Sequence, residues 1–167
     1  IFGIQSMNCQ NGIHLIDNFL STKECHDVIN YCYSASYNYG EYDAPGDIPT
    51  GMVHEIDEKS WIYNLFYFKT KDLVGDLKLD RMYVNCFAPS ENPHFHVDGN
   101  HGITILYYVN DEWDIEMGGE TQFLIDDEIR GILPFPNRLV YFDSNILHKA
   151  TSYRSGHRFT LALKYTL

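Results

Sequence analysis

The sequence predicts a mainly β domain of the antiparallel sandwich or barrel type, with helices on its N-terminal side. From residue 81 onward, short runs rich in Val, Ile, Tyr, Phe and Thr alternate with Gly, Pro and Asn, which is the pattern of closely spaced antiparallel strands. The predicted strands are 81–87, 102–109, 120–125, 129–133, 138–142 and 158–166. With 167 residues and a hydrophobic fraction of 44%, the chain can bury one core, so we expect a single domain over residues 1–167.

The first element is a predicted strand over residues 13–20, an apolar run that ends at Ser21. Ser21 can cap a following helix, and Glu24, three residues later, completes a capping box. Apolar residues then recur with helical spacing, at Cys25, Val28, Ile29 and Cys32. A helix is therefore expected to begin at Ser21.

Two more segments precede the strand-rich part of the chain. Residues 34–51 are rich in Ser, Tyr, Gly, Asp and Pro, which predicts a long loop with room for an edge strand. Residues 58–74 are predicted to be a second helix. The spacing of Trp61, Leu65, Phe66 and Phe68 supports the helix, while the aromatic density would also suit a strand.

Composition and charge argue against several classes of partner. The chain has 12 basic against 23 acidic residues, so nucleic acid is not an expected partner. No apolar run approaches the roughly 20 residues that cross a bilayer, and the first residues lack the pattern of a signal peptide. The four cysteines show neither zinc-site spacing nor a Cys-x-x-Cys pair. We therefore expect a cytoplasmic protein without a membrane partner and without disulfides.

The segment His96-Val97-Asp98 carries the strongest chemical signal. On an extended backbone, residues two apart point to the same side, so His96 and Asp98 project together. An imidazole and a carboxylate on one face supply two ligands of a facial set, and a third ligand must come from elsewhere. Non-haem Fe(II) oxygenases use this arrangement because oxygen and a chelating co-substrate must share the metal.

The third ligand is predicted to be His148. It follows the predicted strand 138–142 and a tight turn at residues 143–145. His157 is the alternative, but Ser155-Gly156 before it is typical of a hairpin tip, where a side chain is poorly fixed.

Arg158 and Thr160 indicate an anion site near this metal site. They share one face of the predicted strand 158–166. A guanidinium can hold a carboxylate through two parallel hydrogen bonds, and a neighbouring hydroxyl adds a third. This is what binding the distal carboxylate of 2-oxoglutarate requires.

This set of residues resembles the 2-oxoglutarate/Fe(II) dioxygenases, and in particular the prolyl 4-hydroxylase-like branch that includes the oxygen-sensing prolyl hydroxylases. The similarity extends to the run 105–113, to Gly118-Gly119-Glu120-Thr121 and to the turn 134–137. It covers residues 83–166 well and residues 13–32 loosely. The branch more often has Lys than Arg at the anchor position, although its oxygen-sensing members use Arg.

The resemblance implies a fold and a role for each matching residue. The fold would be a double-stranded β-helix, the jelly roll or cupin-like barrel, with flanking N-terminal helices. His96, Asp98 and His148 would be the iron ligands. Arg158 would pair with the distal carboxylate of 2-oxoglutarate, with support from Thr160. Tyr108 matches a tyrosine that hydrogen-bonds the same carboxylate. Tyr83 matches another tyrosine that faces the co-substrate, although its separation from His96 differs.

The implied activity couples oxidative decarboxylation of 2-oxoglutarate to hydroxylation of a C–H bond. Fe(II), 2-oxoglutarate as co-substrate and O2 would take part, and ascorbate is a further candidate cofactor. The expected primary substrate is a peptide, through a prolyl residue, or an amino-acid-like small molecule.

Two other functions use the same barrel. A cupin-type metal-binding protein would use His94 and His96 as a His-x-His pair, but its usual glutamate is absent and Asp98 and Arg158 would have no role. A sensor or interaction domain would keep the barrel without turnover, which the intact ligand set argues against. Each residue also has a purely structural alternative. These are a hydrogen-bonded turn for His96 and Asp98, a salt bridge for Arg158, and core packing for Tyr108 and Tyr83.

Overall fold

The computed structural model describes residues 7–10, 12–40, 46 and 48–167. In chain order the elements are β1 (Met7–Gln10), β2 (Ile13–Ile16), α1 (Thr22–Ser34), β3 (Asn38–Tyr39), β4 (Met52–Glu55), α2 (Trp61–Val74), β5 (Lys78–Phe87), β6 (Gly102–Tyr108), a short 3-10 helix (Ile115–Met117), β7 (Thr121–Ile125), β8 (Glu128–Ile132), β9 (Leu139–Asp143), β10 (His148–Ala150) and β11 (Arg158–Thr166). None of the helices in this described part is long and apolar enough to span a membrane.

The strands form two facing antiparallel sheets. The large sheet has the order β1-β2-β9-β6-β11-β5-β4-β3, and the small sheet has the order β10-β7-β8. Neighbours such as β6 and β11 are far apart in the chain, because the polypeptide passes repeatedly from one sheet to the other. A bridge between His96 and His148 adds a further extended segment beside β10. The predicted double-stranded β-helix, or jelly roll, with N-terminal helices is thus confirmed.

The large sheet is apolar on both faces, and the two faces pack against different partners. Along β11, Leu161, Leu163 and Tyr165 belong to the apolar cluster that includes α1 and α2, whereas Ala162 belongs to the cluster inside the barrel. Successive strand residues point to opposite faces. The even-numbered residues of β11 therefore point into the barrel. Among them are the polar residues Arg158, Thr160 and Lys164.

The helix α1 begins as the sequence predicts. Ser21 is its N-cap: its hydroxyl accepts from the Glu24 amide, while the Glu24 carboxylate accepts from the Ser21 amide at 2.8 Å. Val28, Ile29 and Cys32 of the predicted stripe are buried. The second helix is also confirmed, beginning at Trp61 with Ser60 as its N-cap rather than at residue 58.

Several predicted boundaries differ from the observed ones. The strand predicted over 13–20 ends at Ile16, because Asn18 has a positive φ of 53° and turns the chain away from the sheet. β3 is the edge strand within the predicted loop 34–51, of which residues 41–45 and 47 lie outside the described part. β4 and β10 were not predicted. With three residues, β10 is too short to show a period and depends on its pairing with β7.

Candidate active site

A cavity of about 290 Å³ lies between the two sheets. Arg158, the first residue of β11, is only 1% exposed and lies at one end of the cavity. Thr166, the last residue of β11, lines the opposite end together with Asp80, and both are exposed. The cavity is therefore closed at the Arg158 end and open at the Asp80 end.

His96, Asp98 and His148 come together in the wall of this cavity. The Nε2 atom of His96 is 3.5 Å from Asp98 Oδ1, and the Nε2 atom of His148 is 3.4 Å from Asp98 Oδ2. One ligand atom from each residue lies within 4.8 Å of the others. Two imidazole nitrogens and a carboxylate oxygen at this spacing could hold one first-row divalent metal ion, and they suit Fe(II).

The backbone fixes these three residues. The amide of His96 donates to the carbonyl of His148 at 3.0 Å, and the amide of His148 donates to the carbonyl of His96 at the same distance. The amide of Asp98 donates to the carbonyl of Ser144 at 2.8 Å. Apart from the single bridge at His96, residues 91–98 form no regular strand, so pairing with the segment 144–148 supplies the alignment expected of an extended chain.

Each imidazole is oriented through its second nitrogen. Nδ1 of His96 lies 3.0 Å from the carbonyl of His94, and Nδ1 of His148 lies 2.8 Å from the carbonyl of Ile146. A carbonyl only accepts, so in each ring Nδ1 is the donor and the neutral Nε2 keeps its lone pair for a metal. Such backbone contacts orient histidine ligands in metal sites.

Asp98 is held from two sides. The Thr104 hydroxyl donates to Asp98 Oδ2 at 2.5 Å, and the ammonium of Lys164 forms an ion pair with the same oxygen. Burial alone would raise the pKa of Asp98, but Lys164 and the two histidines hold that pKa well below its usual range. The carboxylate is therefore ionised, as a metal ligand must be.

His148 is neutral for a related reason. Its burial lowers the pKa to about 4, against the opposing influence of Asp98 and with further lowering by His96 and Lys164. Near neutral pH the Nε2 lone pair of His148 is thus available. His157, the alternative ligand, is exposed and lies outside the cluster.

Arg158 lies buried and forms its hydrogen bonds with uncharged groups. Its Nε donates to the Gly119 carbonyl at 2.8 Å, Nη1 to the Thr160 hydroxyl at 2.7 Å and Nη2 to the Thr121 hydroxyl at 3.0 Å. In the described part of the chain, no carboxylate lies within ion-pair distance of the guanidinium. A buried charge without a counter-ion is costly, so this end of the cavity fits an anionic ligand such as the distal carboxylate of 2-oxoglutarate.

Gly119 is required where it lies. Its φ is +84°, and a Cβ at this position would come within 2.2 Å of the Tyr153 ring. The residue therefore combines a backbone conformation that favours glycine with a carbonyl that accepts from Arg158. Any side chain here would disturb both the turn and the guanidinium.

The two predicted tyrosines lie in different places. Tyr108 is 1% exposed, donates to the Thr121 hydroxyl at 2.8 Å and has its ring centroid 5.5 Å from the Arg158 guanidinium carbon. Tyr83 lines the cavity farther along, opposite Ala162 and beside Lys164. The structure thus brings Tyr108 to the Arg158 end and Tyr83 to the open end.

Asn85, Thr121 and Lys164 complete the polar lining of the cavity. Asn85 and Lys164 were not singled out in the sequence, and Thr121 was named there only as part of the run 118–121. Asn85 pairs with Thr160 across β5 and β11, and its buried Oδ1 has no partner in the described part of the chain. An amide left open inside the cavity also fits a polar ligand there. Lys164 could have been predicted to face the cavity, because it lies an even number of residues from Arg158 and Thr160 along β11 and so shares their face of the strand.

Comparison with known proteins identifies the family. A sequence model described as the 2OG-Fe(II) oxygenase superfamily matches residues 82–165, half of the chain. The chain therefore belongs to the 2-oxoglutarate- and Fe(II)-dependent oxygenases, and its cofactors are Fe(II), 2-oxoglutarate and O2. A search of curated protein sequences finds no match.

Solved structures share the fold at low sequence identity. A prolyl hydroxylase from Trichoplax adhaerens, in complex with a hypoxia inducible factor oxygen degradation domain peptide fragment, is 19% identical, with a TM-score of 0.72 over 94% of this chain and 84% of that one. A Pseudomonas putida prolyl-4-hydroxylase is 16% identical, with a TM-score of 0.73 over 93% and 92%. HygX from Streptomyces hygroscopicus, with nickel and 2-oxoglutarate bound, is 10% identical, with a TM-score of 0.72 over 93% and 82%.

Proposed function

We propose that this chain hydroxylates a C–H bond of a prolyl residue or of an amino-acid-like small molecule. In this proposal His96, Asp98 and His148 hold the iron, and Arg158 holds the distal carboxylate of 2-oxoglutarate. The observation that carries the proposal is the pairing of the two sites in one cavity. The three ligand atoms lie within 4.8 Å of one another, and the buried guanidinium at the closed end has no acidic partner among the residues that the structure describes.

The residues around Arg158 have separate tasks. The hydroxyls of Thr160 and Thr121 and the carbonyl of Gly119 accept from the guanidinium and fix its plane. Tyr108 donates to Thr121 and so acts on the same hydrogen-bond network. These contacts hold the guanidinium fork in place before the anion binds, which lowers the entropic loss on binding.

Asn85 is our candidate for a further co-substrate contact. It faces the cavity beside Thr160, and its side-chain amide can turn to offer N–H groups to a carboxylate. The predicted role of Tyr83 at the co-substrate stays a prediction, since the Tyr83 ring lies toward the open end. The single-domain organisation, the use of ascorbate and the cytoplasmic location also stay predictions.

Bound Fe(II), 2-oxoglutarate and O2 supply the oxidising power, and succinate and carbon dioxide are the products of the co-substrate. The chain supplies the geometry for this chemistry. Asp98 and the two imidazoles would hold the metal, and the cavity beside them would leave room for its other ligands. The apolar residues Leu106 and Ala162, together with the closed Arg158 end, keep bulk water from the centre of the barrel.

The prolyl hydroxylases among the similar structures support a prolyl substrate, and one of them is described with a peptide. The cavity supports a small group in either case. Its volume of about 290 Å³ lies just below the range of roughly 300–1,000 Å³ that is usual for small-molecule sites, and 2-oxoglutarate would take part of it. The remaining space favours a substrate group as small as a prolyl ring or a free amino acid.

Anaerobic titration tests the proposal. Fe(II) followed by 2-oxoglutarate should produce a visible charge-transfer absorption band. Admission of O2 should then yield succinate, at a rate that rises with the correct member of a panel of prolyl peptides and free amino acids. Absence of both the band and succinate would contradict the proposed function.

A further inference from the structure

Lys164 is a largely buried cation to which the proposed reaction assigns no ligand. It lies two residues from Ala162 on the inward face of β11, lines the cavity and keeps only 16% of its side chain exposed. Across the sheet it pairs with Arg81 of β5 and Thr104 of β6. Because β11 rises about 3.4 Å per residue, Lys164 and Arg158 are separated by roughly 20 Å of strand. The two cations therefore serve different parts of the cavity.

Two of the three ammonium N–H groups of Lys164 have partners. One binds Asp98 Oδ2, and another binds the hydroxyl of Tyr83. An ammonium has three donors, and no third partner lies in the described part of the chain. The remaining donor is at the open half of the cavity, next to the carboxylate that is assigned to the metal.

The charges of the loaded site do not balance without a further anion. Fe(II), Arg158 and Lys164 would bring four positive charges to the loaded site, against two negative charges of 2-oxoglutarate and one of Asp98. The sum leaves one positive charge in excess, although Lys164 forms an ion pair with Asp98. Arg81 does not change this sum, because it forms an ion pair with Glu55, and Asp80 is exposed at the rim without an ion pair to Lys164. A buried surplus charge is costly unless an anion accompanies it.

We propose that Lys164 binds a carboxylate of the primary substrate. This inference rests on the proposed function, and it narrows the substrate class to small carboxylic acids such as free amino acids. An internal prolyl residue is a poorer fit, because its carboxyl group is part of an amide. The position of Lys164 beside Asp98 brings that carboxylate within a few bonds of the oxidised carbon, since the oxidised carbon must lie next to the metal.

The test compares the affinity of the protein for carboxylic acids with its affinity for the corresponding primary amides, in the absence of O2. Small amino acids and simple aliphatic acids are titrated by calorimetry into protein that holds Mn(II) and saturating 2-oxoglutarate, so that Arg158 is already occupied. At least one acid is expected to bind about tenfold or more tightly than its amide. A peptide with a free C-terminal carboxylate, compared with a free amino acid, tells which source of the carboxylate is used.

Variants assign this preference to Lys164. Lys164→Met should abolish the preference for the acid, Lys164→Arg should keep most of it, and the surface control Lys71→Met should not change it. An acid that binds no better than its amide, in every pair, overturns the inference. So does an unchanged preference in Lys164→Met, or a loss of 2-oxoglutarate affinity in that variant as large as its loss of acid affinity, which would assign Lys164 to the co-substrate.

Failure of the role of Lys164 can be distinguished from failure of the proposed function. If Fe(II) and 2-oxoglutarate form no absorption band with the wild-type protein, the proposed function fails and this inference falls with it. If the band forms and no acid is preferred over its amide, only the assignment of Lys164 fails.

Discussion

The main chains of His96 and His148 hold one another: each amide donates to the other's carbonyl at 3.0 Å. The reciprocal pair joins the loop before β6 to the first residue of β10 and brings the two imidazole centroids to 4.6 Å. Asp98 is tied to the same segment through the Ser144 carbonyl. The three predicted ligands are thus aligned by backbone hydrogen bonds that need no metal, which is the property of a preorganised site.

Asp98→Asn should remove most of the metal affinity while keeping the shape of the side chain. The neutral amide cannot match the charge of the ion, and we expect the dissociation constant for Co(II) to rise by about a hundredfold or more, measured by anaerobic calorimetry. Asp80→Asn, at the rim of the same cavity, is the matched control and should bind normally. Equal affinities in the two variants would remove Asp98 from the ligand set, provided that circular dichroism shows both to be folded.

Arg158→Met should weaken 2-oxoglutarate binding by about 2–3 kcal/mol, a factor of roughly 30 to 150, because the distal carboxylate loses a charge-assisted pair. The measurement is the midpoint of the absorption change when 2-oxoglutarate is added to the Fe(II)-loaded protein. Arg154→Met is the control, since Arg154 is exposed on the preceding loop. The same midpoint in both variants would show that Arg158 does not hold the co-substrate.

Gly119→Ala should lower the free energy of unfolding by about 3 kcal/mol or more. The new Cβ meets the Tyr153 ring at 2.2 Å, and the positive φ adds strain. Gly118→Ala is the comparison, because its φ is also positive but its nearest heavy atom is 3.8 Å away, so about 1 kcal/mol is expected there. Urea unfolding measures both; similar losses would show that the contact with Tyr153 relaxes easily.

The metal-free protein should lose stability as the pH falls from about 6.5 towards 4. The pKa of His148 is about 4 in the folded protein against 6.5 for the ordinary group, so the unfolded chain binds the extra proton first. The stabilisation is complete above pH 6.5 and is lost across this interval, by about 3 kcal/mol at most. The stabilisation that Asp98 contributes is lost only below this pH interval, because the pKa of Asp98 is lowered from 3.8 in the folded protein.

Urea unfolding of the wild-type protein and of His148→Gln at a series of pH values checks this expectation. The variant should show a smaller slope between pH 6.5 and 4, since glutamine does not titrate. A parallel slope in both proteins would assign the pH dependence to other groups.

Several features of the fold and of the site follow from local sequence patterns. The capping box at Ser21 and Glu24 is a local hydrogen-bond pattern, so the start of α1 can be predicted without knowledge of the fold. The same is true of the strand 158–166, whose alternation puts Arg158 and Thr160 on one face. His96, Asp98 and His148 could be named because a metal site needs particular side chains. The spacing of His96 and Asp98, and the position of His148 after a predicted strand and turn, match a known ligand pattern.

Tertiary structure alone decided which residues surround these groups. Lys164 reaches Asp98, and Asn85 lies beside Thr160, only because β11 pairs with both β5 and β6 in a fixed register. That register joins residues that are 52 to 88 positions apart in the chain. β10 exists through its pairing with β7 and has no pattern of its own. The sequence gives the chemical type of each side chain directly. The groups that contact this side chain depend on strand register and on the packing of the two sheets. Those contacts determine its charge state and its role.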